Sequence, residues 1–318
     1  MSGVQTLTIG ADEGDQRLDR WLKKKFPQLN QIAIEKMCRK GELRVDGARA
    51  KPATRIEAGQ DIRIPPLPDA APAPPPRTTA PRDGDAQMIQ AAVLWKDEHI
   101  IALNKPAGLP SQGGSGQGDR HVDGLSAALM FGYKDKPKLV HRLDKDTSGI
   151  LLLARTDRVA RRLSEAFRAR TTRKIYWAAV AGVPSPRMGT VRYGLVKAPG
   201  HGRGGEGEKM MAIHPAKVDQ TEGAKRATTD YAVLDSLGTR VSWCALVPIT
   251  GRTHQLRLHM ASLGVPIVDD PLYPDVRPDL CELPDRGDFT RPLRLLAHSL
   301  EFDDPLTGEP RRFVSNRQ

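Results

Sequence analysis

At 318 residues, with 49 Lys and Arg against 38 Asp and Glu, the chain carries a net charge of +11 and is long enough for two domains. Hydrophobic residues at 39% suffice for packed cores, which excludes wholesale disorder, and no apolar run reaches the roughly 18 residues of a membrane span. Three scattered cysteines (Cys38, Cys244, Cys281) exclude a disulfide framework and a four-thiolate metal site. They fit a reducing cytoplasm, as does a start, MSGVQTLTIG, without a secretory signal; the basic excess favours a polyanion, nucleic acid first.

Residues 17–26 (RLDRWLKKKF) place Leu18, Trp21 and Leu22 at i, i+3, i+4, predicting an amphipathic helix with Arg20, Lys23 and Lys24 on its polar faces. Residues 31–40 predict a second helix, with Ile34 and Met37 three apart, Arg39 and Lys40 in its last turn and Gly41 as its stop. ELRVDGARA (42–50) reads as a hairpin entered through Arg44, with Asp46-Gly47 as its turn, and DIRIP (61–65) as a strand. From residue 17 to 51 there are eleven Lys/Arg against four Asp/Glu. Most charge runs are solvated helix faces. Here the basic residues cluster on the helices and the hairpin entry, ahead of a tether, which suits a module that grips a polyanion.

This stretch resembles the S4 RNA-binding domain in RLDRWL, RKGELRVDG and GQDIRIP, over most of residues 16–64. The resemblance implies contacts to the phosphates of structured RNA, for which Arg20, Lys23, Lys24, Arg39, Lys40 and Arg44 are the candidates. Residues 65–87 follow, with eight prolines in 23 residues and no aromatic, a composition that favours an extended spacer. The expected division is a module over 1–64, a Pro/Ala-rich linker over 65–87 and a larger domain over 88–318.

In the larger domain, residues 92–108 predict two short strands about a turn, and 138–156 a strand, a polar loop and a second strand. Residues 157–170 predict a helix, with Val159, Leu163 and Phe167 at i, i+4, i+8. Strands are predicted over 174–182, 231–237 and 241–249, and a helix over 256–264 that stops at Gly264. Strands and helices that do not strictly alternate argue for an α+β class.

Three clusters carry possible chemistry. HRLDKDTSG (141–149) sets His, Arg, two Asp and Lys between apolar runs, and in an extended segment Arg142 and Asp144 face one side while His141 and Leu143 face the other. A surface salt bridge with a turn over 146–149 would use the same residues. TGRTHQLRLH (250–259) brings together Arg252, His254, Arg257 and His259; the H-x4-H spacing misses a zincin pair, and an arginine here suits a bidentate clamp on carboxylate or phosphate. Lys174 and Tyr176 share a strand face, a pattern also met in plain strand-edge packing. Between residues 155 and 174 eight Lys/Arg oppose two Asp/Glu, and Arg161 and Arg162 there are candidate phosphate contacts. SQGGSGQGD (111–119) lacks the Lys-Ser/Thr of a nucleotide loop, and HGRGGEGEK (201–209) reads as a loop.

Together, HRLDKDTSGI (141–150), RKIYWAAVAG (173–182), GRTHQLRLHMASLGVPIVDDPLY (251–273), NKPAGL (104–109) and LLAH (295–298) resemble the RluA-type pseudouridine synthase family over roughly residues 90–300. The fold implied is α+β: a small α/β S4-like RNA-binding module, joined by the Pro-rich linker to a mixed, mainly antiparallel-sheet synthase domain. The S4 module with RIPP and GGSG points, within the family, to members that modify large-subunit (23S) ribosomal RNA. The family often has His where Gln112 stands, and Gly-Asp-Pro-Leu-Tyr-Gly where this chain has DDPLYP (269–274), which bears on site choice more than on activity.

The resemblance implies isomerisation of uridine without a cofactor or metal. Asp144 is the implied nucleophile, at uracil C6 or ribose C1′; both remain open. Burial would raise its pKa, so a paired arginine is needed, and Arg257 is the candidate. Tyr176 is expected to stack on uracil or take the C5 proton, with Lys174 supporting it; a phenol near pKa 10 is a poor base, which favours stacking. Arg142 would help extrude the base, Arg252 would bind substrate, and Leu256 or Ile249 would wall the pocket. The expected partner is 23S rRNA or a precursor ribosomal particle, met by a cytoplasmic monomer with no membrane contact. The alternatives are a synthase for tRNA or other ribosomal sites, a catalytically silent assembly factor, and a hydrolase using Asp144 with Asp146.

Overall fold

The computed structural model describes residues 3–10, 13–14, 16–67, 82–113, 118–169, 171–198, 209–273 and 292–316. Cys281, the glycine run at 201–208, Pro274 and most of the proline stretch lie outside the described residues. The chain divides into two units, Met1–Thr79 and Ala80–Gln318.

In the first unit the order is β1 (Gln5–Thr8), β2 (Gln16–Arg17), α1 (Leu18–Lys25), α2 (Gln31–Lys40), β3 (Arg44–Val45), β4 (Ala48–Arg49), β5 (Arg55–Ile56) and β6 (Asp61–Ile64). Leu18, Trp21 and Leu22 of α1 and Ile34 of α2 pack with Ile56, Ile62 and Ile64, so the apolar spacing read in the sequence is the buried face. Asn30 Oδ1 caps α2 by accepting the Ala33 N–H at 2.8 Å, and Gly41, at φ 71°, ends it in the left-handed conformation. Asp46 and Gly47 both have positive φ (46° and 78°), as a two-residue hairpin requires. The sequence pattern gave no sign of β1, which pairs antiparallel with β6. Leu67 belongs to this core, so the packed module runs past residue 64.

The second unit starts with α3 (Asp83–Ala91), inside the stretch read as linker. Asp83 and Asp85 lie in its first turn, where the helix dipole favours them, while Met88 and Ile89 anchor it in a core; no proline occurs after Pro81 in this stretch. Then come β7 (Val93–Lys96), β8 (Ile100–Lys105), α4 (Val122–Leu125), β9 (Lys138–Leu139), β10 (Ser148–Ala154), α5 (Asp157–Ala169), β11 (Arg173–Ala181), β12 (Met188–Lys197), β13 (Met210–Ile213), β14 (Lys225–Leu237), β15 (Val241–Pro248), α6 (Gln255–Ser262), β16 (Leu295–Asp303) and β17 (Pro310–Val314).

The main sheet runs β13-β12-β14-β15-β11-β16-β10-β8-β7, with β9 beside β10 and β17 beside β16. It is antiparallel among the described residues except for β10 and β16, so the class is the mixed, mainly antiparallel α+β arrangement expected. β10 is covered on both faces. Leu151 and Leu153 pack with α3 and α4; Ile150, Leu152 and Ala154 pack with α5. Each fully buried leucine there contributes about 2 kcal/mol, which fixes the strand that carries the polar loop before it. α6 closes part of the other half of the sheet through Leu256 and Met260.

Gly149 sits at the parallel crossing, paired with Ala297, at φ 108°. A Cβ there would lie 2.3 Å from the Ala297 carbonyl oxygen, a backbone atom that cannot step aside. Gly149→Ala is therefore expected to destabilise the protein by about 3 kcal/mol through forced separation of β10 and β16 plus backbone strain. A urea midpoint within error of the wild type would show that the crossing tolerates a side chain.

Candidate active site

The loop between β9 and β10 is held from three sides. His141 Nε2 accepts the Leu152 N–H at 3.0 Å, and its ring stacks on Phe167 at 4.5 Å. Burial, with Lys174 close by, lowers the imidazole pKa to about 3, so it stays neutral. Ser111 Oγ accepts the Leu143 N–H at 3.0 Å and donates to the Leu143 carbonyl at 2.7 Å. Lys105, fully buried, donates from Nζ to the carbonyls of Pro106, Leu109 and Lys145 at 3.0, 2.7 and 2.9 Å. Asp144 lies between two pinned neighbours, with Leu143 in the core and Arg142 exposed at the rim.

A cleft of about 510 Å³ opens beside this loop. Arg142, Asp144, Lys174, Tyr176, Arg252, Leu256 and Arg257 all line it, and so does Ile249. The two-residue alternation put Lys174 and Tyr176 on one face of β11, as read from the sequence. Asp146 is not among the described lining residues, where Asp144 is the one carboxylate rather than half of the pair a hydrolase would need.

Arg257 differs from expectation. Its Nε and Nη2 form a fork on Asp270, at 2.8 and 2.6 Å, instead of pairing with Asp144. Asp270 Oδ1 also accepts the N–H groups of Leu272 and Tyr273, at 2.9 and 3.0 Å. Burial works against the guanidinium charge, but the fork and the nearby Asp144 and Asp146 carboxylates hold its pKa above the usual arginine value. The pair is almost fully buried, so Arg257 is a fixed positive charge facing the cleft.

Burial, reinforced by the Asp144 charge, raises the Tyr176 phenol well above its ordinary pKa. The ring is available for stacking; its hydroxyl is a poor base. Lys174 shifts the other way, down to about 8 through burial, with its amino group 4.5 Å from the Phe167 ring centroid. Gln255 shapes the far wall. Its Oε1 accepts from the Thr250 hydroxyl and the Arg252 N–H at 2.6 and 3.1 Å, and its Nε2 donates to the Thr228 carbonyl at 2.9 Å.

His254 lies at the entry to α6 with φ 53° and meets the Tyr273 hydroxyl at 3.3 Å. His259 is fully buried against the Thr229 hydroxyl at 2.9 Å, and burial lowers its pKa to about 4. Arg20, Lys23, Lys24, Arg39 and Lys40 are exposed on α1 and α2, whereas Arg44 is half-buried and donates to the carbonyls of Gly41 and Gly47 at 3.3 and 2.9 Å. Arg161 and Arg162 are exposed on α5. Arg155, counted in the same basic run, is buried: it donates to the carbonyls of Asp97 and Met130 at 3.1 and 3.0 Å and packs under Tyr133, out of reach of phosphate. Sequence reasoning missed Lys105, Ser111, Gln255 and Asp270. The family motifs contain Lys105 and Asp270, but nothing in the local pattern marks either as buried.

A mainly antiparallel sheet and a cationic cleft that brings Asp144, Tyr176 and Arg257 together suit an enzyme acting on RNA. The chain belongs to the RNA pseudouridylate synthase family, whose pattern matches residues 99–262, and an S4 domain is matched over 16–62. It is 34% identical to ribosomal large subunit pseudouridine synthase C of Salmonella typhimurium over 97% of this chain and 92% of that protein. The enzyme of the same name from Escherichia coli K12 is also 34% identical, with the same coverage. Among solved structures, human RNA pseudouridylate synthase domain containing 4 superposes with a TM-score of 0.59 at 28% identity, covering 73% of this chain and 91% of that one. Among the described residues, no helix is long and apolar enough to cross a membrane.

Proposed function

We propose that this chain isomerises specific uridines of large-subunit ribosomal RNA to pseudouridine, acting as a monomer in the cytoplasm on 23S rRNA or its precursor particle. The observation that carries the reading is the convergence of Asp144, Tyr176 and Arg257 on one cleft, in a chain aligned almost end to end with ribosomal large subunit enzymes. Asp144 is the nucleophile, at uracil C6 or ribose C1′. Breaking the glycosidic bond lets the base turn within the pocket, and C5 then bonds to C1′ and loses its proton. Arg257, fixed by Asp270, sets a positive charge beside the Asp144 carboxylate without pairing with it directly. Tyr176 stacks on the uracil, while Leu256 and Ile249 wall the pocket. Arg142 and Arg252, exposed at the rim, hold phosphates and help keep the target base extruded. The exposed cations of α1 and α2, with Arg161 and Arg162, add contacts that position the RNA without reading its sequence.

Tritium release from RNA containing 5-tritiated uridine tests this. The expected result is release from deproteinised 23S rRNA or precursor particles and none from bulk tRNA. Release from tRNA alone would move the substrate assignment. Absence of release from every RNA would leave a binding protein without turnover.

A further inference from the structure

Lys174 is a half-buried lysine whose charge meets, among the described residues, the face of the Phe167 ring and no counter-ion. Its amino group has neither a carboxylate nor a hydrogen-bond acceptor among the described residues, and it rests over the Phe167 ring. It lines the same cleft as Asp144, on the strand face that also presents Tyr176. Neighbouring titratable groups are committed elsewhere. His141 spends Nε2 on the Leu152 N–H and its ring on Phe167. Tyr176 is held protonated. Arg142, Arg168, Arg252 and Arg257 carry guanidiniums, which do not deprotonate in proteins.

We propose that Lys174 is a catalytic residue which, as the free amine, takes the proton from C5 of the rebonded uracil, an inference that rests on the isomerase reading above. The C5–H bond breaks, and its electron pair becomes the C5–C6 π bond. The proton goes to Nζ of Lys174, which later returns it to water. The density displaced at C6 leaves with the Asp144 carboxylate if Asp144 is bonded to C6. If attack is at C1′, that density moves onto N1, which is protonated from water. No oxidant or co-reactant is consumed.

Electrostatics favour this use. Burial brings the amine down to about 8, so on the order of a tenth of the molecules carry the free base at pH 7. If attack is at C6, Asp144 is still esterified and uncharged when the base is needed; after attack at C1′ it has already left as a carboxylate.

The experiment compares the full-length wild type, Lys174→Arg and Lys174→Met on 23S rRNA transcripts carrying 5-tritiated or 5-deuterated uridine. Arginine keeps the charge and the contact with Phe167 but gives no free base. The expected result is a loss of about 100-fold or more in tritium release for both variants. RNA affinity should stay within about twofold for Lys174→Arg, and that variant should show a C5 deuterium isotope effect larger than the wild type's. On deuterated RNA the wild-type rate should rise with pH and level off above about 8. Lys174→Arg turning over within about threefold of wild type would overturn the proposal, because charge alone would then suffice, as for a phosphate anchor. So would a slow variant without the larger isotope effect, or a wild-type rate that falls as pH rises through 8. If neither variant folds, the wild-type pH profile decides. Failure of the isomerase reading is separate: the wild type itself would release no tritium.

Discussion

Asp144→Asn will bind ribosomal RNA within a few fold of the wild type and form no pseudouridine, a loss of at least about 10⁴-fold. The carboxamide has the shape of the carboxylate, and the loop around it does not depend on the charge. Ser111 fixes Leu143 on one side and Lys105 fixes the Lys145 carbonyl on the other. Removing the Asp144 carboxylate from a cleft that also presents Arg142, Arg168, Lys174, Arg252 and Arg257 takes away repulsion toward phosphate, so binding has no electrostatic reason to weaken. Asp146→Asn provides the control. Asp146 does not line the cleft, and its variant should retain turnover within about tenfold, as expected of a residue that does not touch substrate. Retained turnover in Asp144→Asn would remove Asp144 as nucleophile. A collapse of RNA affinity would recast it as a binding group.

The parts of this site that follow a local period were legible before any coordinates. Arg142 and Asp144, and Lys174 and Tyr176, each stand two apart in extended chain, so a shared face follows from strand geometry alone. The helices over 18–25, 31–40 and 157–169 announced themselves through apolar spacing, and Gly41 through the left-handed cap it adopts. What stayed hidden depends on partners distant in sequence. Lys105 reads as a surface lysine until its three carbonyl acceptors, one of them 40 residues away, are in place. Arg155 looked like one more cation in a basic run, yet it is buried by contacts with Met130 and Asp97. The first turn of α3 was obscured because Asp and Gly resemble linker composition and the dipole that favours Asp83 and Asp85 exists only once the helix forms. Asp270 stands inside a family motif, yet nothing in the sequence joins it to Arg257, 13 residues away across a loop with no period.

The buried Arg257–Asp270 pair has an energetic consequence. Asp270→Ala will cost about 3–5 kcal/mol of stability, because it leaves the Arg257 guanidinium buried without its counter-charge and strips the acceptor from two backbone N–H groups. In the fraction that remains folded, turnover should also fall, since Arg257 is no longer held facing Asp144. The two losses are separable. Replacing both partners with apolar residues of similar size, as in Arg257→Met with Asp270→Leu, removes the unpaired charge and should recover much of the stability, because a buried ion pair is often no better for folding than a packed apolar pair. It should recover none of the activity. A double variant that is both stable and active would mean that the fork on Asp270 is scaffolding and that Asp144 works without the field of Arg257. A double variant as unstable as Asp270→Ala would place the cost in the orphaned N–H groups of Leu272 and Tyr273 rather than in the charge.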